Sequence, residues 1–341
     1  MKIQLEKVLE YEQPQKYIVA TENYSDEYTT PVLTAGKSFI LGYTDETDGI
    51  YKGTESPVII FDDFTSDTKY VDFDFKVKSS AMKILHKVNE EDFLKYFFYA
   101  MQKIQYKPFS HKRLWISEYS KFEIEKRTPE EQKIVVNDLD NINNAISLAK
   151  QRLLALDELV KSRFIEMFEN KGFFTLLWND VFITKTGKLD SNAMVDGGEY
   201  PFFTCAKEIF QIDKYAFDQE ALLLAGNNAV GKYDVKYYKG KFNAYQRTYV
   251  LSLLNNDWSY RCFQYQLQDK LDYLQSQSKG SNTKYLTLKI LAELDFVIPP
   301  ISLQNEFAEF VKLIDKSKFI VQQQIKDLEE LLDSKMDEYF R

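Results

Sequence analysis

The chain has 341 residues with a formal net charge of −8, 44% hydrophobic and 15% aromatic. That composition excludes disorder and predicts two domains, since one hydrophobic core rarely serves a chain of this length. Two cysteines, Cys205 and Cys262, and two histidines, His86 and His111, leave a Cys/His metal cluster without ligands and predict isolated buried thiols.

Residues 1 to 127 open with an amphipathic segment carrying Ile3, Leu5, Val8 and Leu9, then turn to strand-like pieces divided by Gly, Asp, Thr and Ser. PVLTAG, SFILGY, SPVIIF and the alternating VDFDFKVK predict strands, and EEDFLKYFFYAMQKI predicts a helix. A polar loop, PFSHKR, then LWI and an extended KFEIEK lead to Thr128. The stretch from Thr128 to Phe168 predicts one long helix: Thr128 and Glu131 form a capping box around Pro129, and Gly172 ends it. Val135, Leu139, Ile142, Ile146, Ala149, Leu153, Leu156 and Val160 alternate in steps of four and three, the heptad spacing that turns a seam toward a partner helix. No apolar run reaches the ~18 residues of a membrane span, and MKIQLEKVLEYEQP is charged where a signal peptide is apolar, which predicts a cytoplasmic address.

The same plan returns after a shift of 172 residues: Gln132 falls on Gln304, Ile142 on Ile314, Leu156 on Leu328, Leu159 on Leu331, Ser162 on Ser334, Glu166 on Glu338 and Phe168 on Phe340. Ser302, after Pro299 and Pro300, is the expected N-cap of a second long helix whose seam is Phe307, Val311, Ile314, Lys318, Val321, Ile325, Leu328 and Leu332. YPFFTCAK matches TPVLTAGK, ALLLAG matches PVIIFD, and CFQYQLQDKL matches YFFYAMQKI. The expectation is an α+β protein made by tandem duplication, with domains over 1–127 and 172–300, helices over 128–171 and 301–341, and the helices paired as an antiparallel coiled coil.

Two motifs suggest enzymes. Gly226 to Lys232, GNNAVGK, fits half of a phosphate-binding P-loop after the strand ALLLA. Tyr233 stands where Ser or Thr should hold magnesium, however, and the following YDVKYYKGKF alternates like a strand, so a hairpin turn is expected. Asp62, Asp63, Asp67 and Lys69 resemble a magnesium nuclease cluster only loosely, and a solvated turn is expected there. Neither half carries a glycine-rich S-adenosylmethionine loop or an adenine methyltransferase signature, which predicts a chain that is not catalytic by itself.

The negative charge sits unevenly. Asp138, Asp140, Asp157, Glu158, Asp327, Glu329 and Glu330 crowd the helices. Basic residues gather elsewhere, as Lys76, Lys78, Lys83 and Lys87, as Lys103, Lys107, Lys112 and Arg113, and as Lys232, Lys236, Lys239, Lys241 and Arg247. Loops and strands so charged suit phosphate, and acidic helices would be repelled from it.

LDELVKSRFIEMF, Leu156 to Phe168, its copy LEELLDSKMDEYF, Leu328 to Phe340, and the segments TPVLTAGKSFILGY, PVIIFDDFTSDTKYVDFDFKVKSSAMKIL, YPFFTCAK and LLLAGNNAVGKY together resemble the specificity subunit of a type I restriction-modification enzyme. The resemblance covers the whole chain. It implies two target recognition domains, each reading half of a split DNA target, with helices that set the spacing. It also implies two methyltransferase and two motor-nuclease subunits as partners, which would carry S-adenosylmethionine, ATP and magnesium while this chain carries no cofactor. Expected DNA contacts are Lys76, Lys78, Lys83, Lys112, Arg113, Lys232, Lys236, Lys239, Lys241, Tyr245, Arg247, Lys279 and Lys284. Base readers are sought among Asn243, Tyr245, Gln246 and Arg247, and among Lys78, Ser79 and Ser80. Methyltransferase contacts are expected at outward positions near Arg163, Phe168, Lys335 and Phe340. The second copy departs at Leu332, Asp333, Lys335 and Met336, which replace Val160, Lys161, Arg163 and Phe164. The different-class alternatives are a coiled-coil scaffold binding proteins, separable by salt-dependent DNA binding, and a P-loop ATPase, separable by nucleotide binding.

Overall fold

The computed structural model describes residues 1–341 except Gly36, Lys37, Gln105, residues 107–112, Asn170 and Val230. The chain is mixed α+β and divides into two compact units, Met1–Lys150 with Gln323–Arg341, and Gln151–Gln322.

In the first unit an antiparallel sheet has the strand order Leu9–Glu12, Met82–Lys87, Val58–Asp62, Thr68–Val71. A three-stranded sheet has the order Ile40–Thr44, Thr30–Leu33, Lys76–Val77. PVIIF is apolar throughout because both faces of its strand are covered. Ile59 and Phe61 join Leu85 and the helix Leu94–Gln102 in one core, while Val58 and Ile60 join Leu33, Phe75, Val77 and Met82 in another. The opening amphipathic segment is a strand, Lys2–Gln4, paired with Glu123–Glu125, then a 3-10 turn and a second strand, with Leu5, Val8 and Leu9 buried.

VDFDFKVK does not form one strand. Thr68–Val71 ends at its first residue, and only Lys76–Val77 is regular thereafter. Between them Asp74 takes hydrogen bonds from Lys52 and Thr54, and Phe75 pairs with Tyr51 as an isolated bridge. Phe73 O lies 2.2 Å from where a Cβ on Gly53 would stand, so the bend needs a glycine opposite it.

The second unit holds a six-stranded sheet in the order Phe182–Thr186, Thr248–Leu253, Phe217–Ala225, Val235–Ala244, Tyr200–Phe203, Phe210–Ile212. The pairing of Tyr200–Phe203 with Val235–Ala244 is parallel and the rest antiparallel. ALLLA repeats the logic of PVIIF, with Leu222 and Leu224 in one core and Ala221 and Leu223 in another. The helix Tyr260–Asp269 packs in this unit, and Thr175–Leu177 pairs with Asp295–Val297.

The first long helix is Pro129–Phe168. Its capping box is formed: Thr128 N donates to Glu131 Oε2 at 3.0 Å and Glu131 N to Thr128 Oγ1 at 3.3 Å. The second long helix is Ile301–Tyr339. Ser302 is not its N-cap, because the helix begins one residue earlier and the Pro300 carbonyl already accepts from Leu303 N and Gln304 N. Every seam residue of both helices is buried or half-buried. Within the first unit Lys150 pairs with Glu329 at 2.9 Å and Tyr339 Oη donates to Asp138 at 2.5 Å. Within the second, Asp157 meets Lys318 and Arg163 meets Glu306 at 2.7 Å. In both units the partner's number falls as the first rises.

Candidate nucleic-acid interface

In the second unit four loops converge. The Gly226–Lys232 turn joins two antiparallel strands, Phe217–Ala225 and Val235–Ala244, so the residues after the glycines are strand and not helix. Gly226 N donates to Arg247 O at 2.9 Å, and Leu286 N donates to Gly226 O at 2.9 Å. Asn228 pairs across from Lys284, and Cys205 Sγ donates to Arg247 O at 3.4 Å. A Cβ on Gly226 would lie 2.3 Å from Arg247 O, so only glycine permits this approach. Lys232, Arg247 and Lys279 are exposed and Lys284 half-exposed around this junction. Next to it Cys205, Lys207, Lys232, Tyr233, Asp234 and Gln268 line a cleft of about 640 Å³.

The first unit builds the same junction from other residues. Asp63 N donates to Ala81 O at 3.0 Å, and Leu114 N donates to Asp63 O at 3.0 Å. Asp63 Oδ1 accepts from Trp115 N at 2.9 Å, and its Oδ2 lies 3.3 Å from Lys83 Nζ. Strand pairing shifts the match of ALLLAG with PVIIFD by one residue, so that Asp63, not Asp62, stands where Gly226 stands and Lys83 where Tyr249 stands; Tyr249 Oη instead donates to Leu286 O at 3.0 Å. The turn is solvated as expected at Phe64, Thr65, Asp67 and Lys69, but its first two carboxylates turn inward: Asp62 caps it through Phe64 N, Thr65 N and Thr65 Oγ1, and Asp63 is fully buried. Ser66 takes the left-handed conformation, φ 65°, at its tip.

Several expected DNA contacts change role. Lys83 is 0% exposed and Lys76 4%. Both charges are neutralised inside the fold, Lys76 by Glu46 at 2.8 Å with its ammonium also donating to Asp48 O, so neither is presented to phosphate. Lys76 holds the Glu46 carboxyl down to a pKa of about 2, helped by the Ala20 and Thr21 amides. Asn243 is also internal, donating to Lys214 O and accepting from Ala244 N. Lys236 is mostly covered and bonds Asp234 and Ala206 O. Lys78 pairs with Glu22, which raises its pKa and keeps it charged. Lys239 pairs with Glu220 at 3.2 Å, and Lys241 sits 4.8 Å over the Tyr215 ring. Arg113 and Gln246 are exposed, and Tyr245, Ser79 and Ser80 half-exposed. Lys107, His111 and Lys112 lie outside the described residues.

The helix positions also divide. Phe168 is 2% exposed in a core with Phe164 and Phe307, and Phe340 packs on Tyr96 at 5.3 Å, so neither points outward. Arg163 and Lys335 are half-exposed and paired with Glu166 and Glu338. Outward apolar residues of the long helices include Leu148 (65%) and Leu331 (44%) in the first unit, and Leu159 (47%), Phe319 (69%) and Ile320 (65%) in the second. Their signal was in the sequence: Leu148 and Ile320, like Leu159 and Leu331, are related by the shift of 172.

Among the described residues no group of three or more His, Cys, Asp or Glu is arranged to hold a metal ion, and no helix is long and apolar enough to cross a membrane.

Residues 167–330 match the family model described as "Type I restriction modification DNA specificity domain". The chain is 45% identical over 157 residues to the Escherichia coli "Type I restriction enzyme EcoR124I/EcoR124II specificity subunit", covering 45% of this chain and 36% of that protein. It is 40% identical over 126 residues to the Escherichia coli "Type I restriction enzyme EcoDI specificity subunit", covering 36% of this chain and 27% of the relative. The matches thus span about a third of the length of these curated relatives. In fold it is similar to the S subunit of a type I restriction-modification system from M. genitalium, with a TM-score of 0.68, 16% identity, and coverage of 100% of this chain and 96% of that one. By its matched domain and its curated relatives the chain is similar to type I restriction-modification specificity subunits, and it shares the fold of one of them.

Proposed function

We propose that this chain is the DNA sequence-specificity component of a type I restriction-modification complex. Two tandem-duplicated recognition domains, 1–127 and 172–300, each read one half of a bipartite target. The helices over 128–171 and 301–341 pair as an antiparallel coiled coil, set the spacing of the halves, and dock two methyltransferase subunits. Motor-nuclease subunits complete the complex, and S-adenosylmethionine, ATP and magnesium belong to the partners. The observation that carries the reading is the junction built twice with unlike side chains, Asp63 and Lys83 in one unit, Gly226 and Tyr249 in the other. One scaffold with two different chemistries is what recognition of two unlike half-sites requires.

DNA contacts follow the cations left at the surface: Lys232, Lys241, Arg247, Lys279 and Lys284 in the second unit, Arg113 and Lys78 in the first. Methyltransferase docking uses the outward apolar residues, with Arg163 and Lys335 at their edge. The test is DNA binding by the complex co-expressed with its methyltransferase. Replacing Lys232 or Lys279 with Ala should weaken binding to all sequences alike and reduce the salt slope by about 0.9 for each phosphate no longer neutralised. Binding that is indifferent to salt and to sequence would end the reading.

A further inference from the structure

Gln132 and Gln304 lie in the first turn of the two long helices, and both are 0% exposed. A buried primary amide must satisfy its donors and its acceptor within the fold. Both do so in the same way. Gln132 Oε1 accepts from Phe93 N at 2.8 Å, and Phe93 is the residue that opens the helix Leu94–Gln102. Gln304 Oε1 accepts from Ser259 N at 3.0 Å, and Ser259 opens the helix Tyr260–Asp269. Neither opening residue caps its helix with its own side chain, so the glutamine supplies a partner for an amide the helix leaves over. On the other side Gln132 Nε2 donates to Arg127 O at 3.0 Å and Gln304 Nε2 to Pro299 O at 2.8 Å, five residues back in each case. In the first unit the amide also donates to the buried carboxylate of Asp92 at 2.8 Å.

A second tie lies two residues earlier. Tyr96 Oη donates to Glu125 O at 2.6 Å, and Gln266 Nε2 donates to Val297 O at 3.0 Å. The entry into each long helix is therefore pinned to the main helix of its own globular domain.

We propose that Gln132 and Gln304 are positioning residues for spacing discrimination: by locking each recognition domain to its long helix, they determine how sharply the complex distinguishes one half-site separation from the next. The proposal rests on the function proposed above. A domain of this size has a radius of gyration of about 14 Å, so a swing of about 14° about its junction moves a point at that distance by about 3.4 Å, the rise of one base pair. A spacing rule that is sharp to one base pair needs a junction stiffer than that, and a side chain hydrogen-bonded to both sides of the bend supplies it.

The experiment is Q304L in the chain co-expressed with its methyltransferase partner, read by sequencing methylated sites across the host genome. The expected result is unchanged half-sites and at least an about tenfold rise in methylation where the spacer is longer or shorter by one base pair, equivalent to about 1.4 kcal/mol of lost discrimination. A folded Q304L complex that methylates only the native spacing overturns the proposal. Should Q304L fail to assemble, Q304E decides in vitro. Its carboxylate can accept from Ser259 N but has no proton for Pro299 O, so spacing should broaden at high pH and sharpen as the buried acid is protonated; constant spacing at both pH values overturns the proposal. In the unaltered complex, the Phe93 and Ser259 amides should exchange hydrogen as slowly as those of the helices they open, and free exchange would likewise overturn it. A native complex that methylates no bipartite target would remove the underlying function along with the inference.

Discussion

Lys83 and Asp63 show what a count of charges along a chain cannot resolve. Both belong to polar-looking stretches, yet their side chains are 0% and 1% exposed, 3.3 Å apart, with no hydrogen bond to Lys83 Nζ or Asp63 Oδ2 among the described residues. The partner lies twenty residues away in sequence, and only the pairing of Val58–Asp62 with Met82–Lys87 brings the two together. Removing one charge strands the other in a medium where it is poorly solvated, so Lys83→Ala should cost about 3–5 kcal/mol in urea unfolding, whereas Lys83→Met with Asp63→Leu should recover most of the loss. A single variant as stable as the native chain would show that the pair is not confined as described. Glu46 gives a pH counterpart. Its folded pKa, lowered to about 2 chiefly by Lys76, lies below an unfolded value of about 4.3. The resulting stability is fully present above about pH 4.3 and is lost as pH falls through about 2. Glu46→Gln should therefore lower the melting temperature at neutral pH and flatten its fall between roughly pH 5 and 2; a parallel acid profile would assign the sensitivity elsewhere.

At the scale of elements, the parts governed by local rules were legible. The Thr128 capping box, the long helices and their seams follow from spacing alone, because a helix records its buried face every three or four residues. VDFDFKVK misled because its alternation reflects a bend held by Lys52, Thr54 and Tyr51, contacts set by tertiary structure. Phe168 and Phe340 misled for a related reason: aromatic ends of helices suit an external partner and an internal core equally well. The outward residues Leu148 and Leu331 sharpen the expectation. Leu148→Asp with Leu331→Asp should leave stability within about 0.5 kcal/mol, as surface changes do. Co-expressed protein should nevertheless lose methyltransferase on a sizing column. Leu139→Ala, at a fully buried seam position, should instead cost about 2–5 kcal/mol. Retention of full methyltransferase binding by the double Asp variant would move the docking surface elsewhere.

For the whole molecule, the shift of 172 residues aligned motifs of the two halves, while the differences between the units stayed hidden until strand pairing matched Asp63 with Gly226 and Lys83 with Tyr249. Sequence similarity finds what the two units share, and the proposed reading of two unlike half-sites rests on what they do not share. The spacing mechanism can be tested without knowing either half-site. Four residues inserted after Ala149 lengthen the helix by about 6 Å and turn it by about one full turn. The seam is nearly preserved, since it already advances in steps of four and three. With a DNA rise of about 3.4 Å per base pair, such a variant should methylate the same two half-sites at a spacing changed by one or two base pairs. Two inserted residues rotate the following seam by about 200°, which turns Leu153, Leu156 and Val160 away from their partners and should abolish assembly. If the four-residue variant folds, assembles and keeps the original spacing, the distance is set by something other than the paired helices.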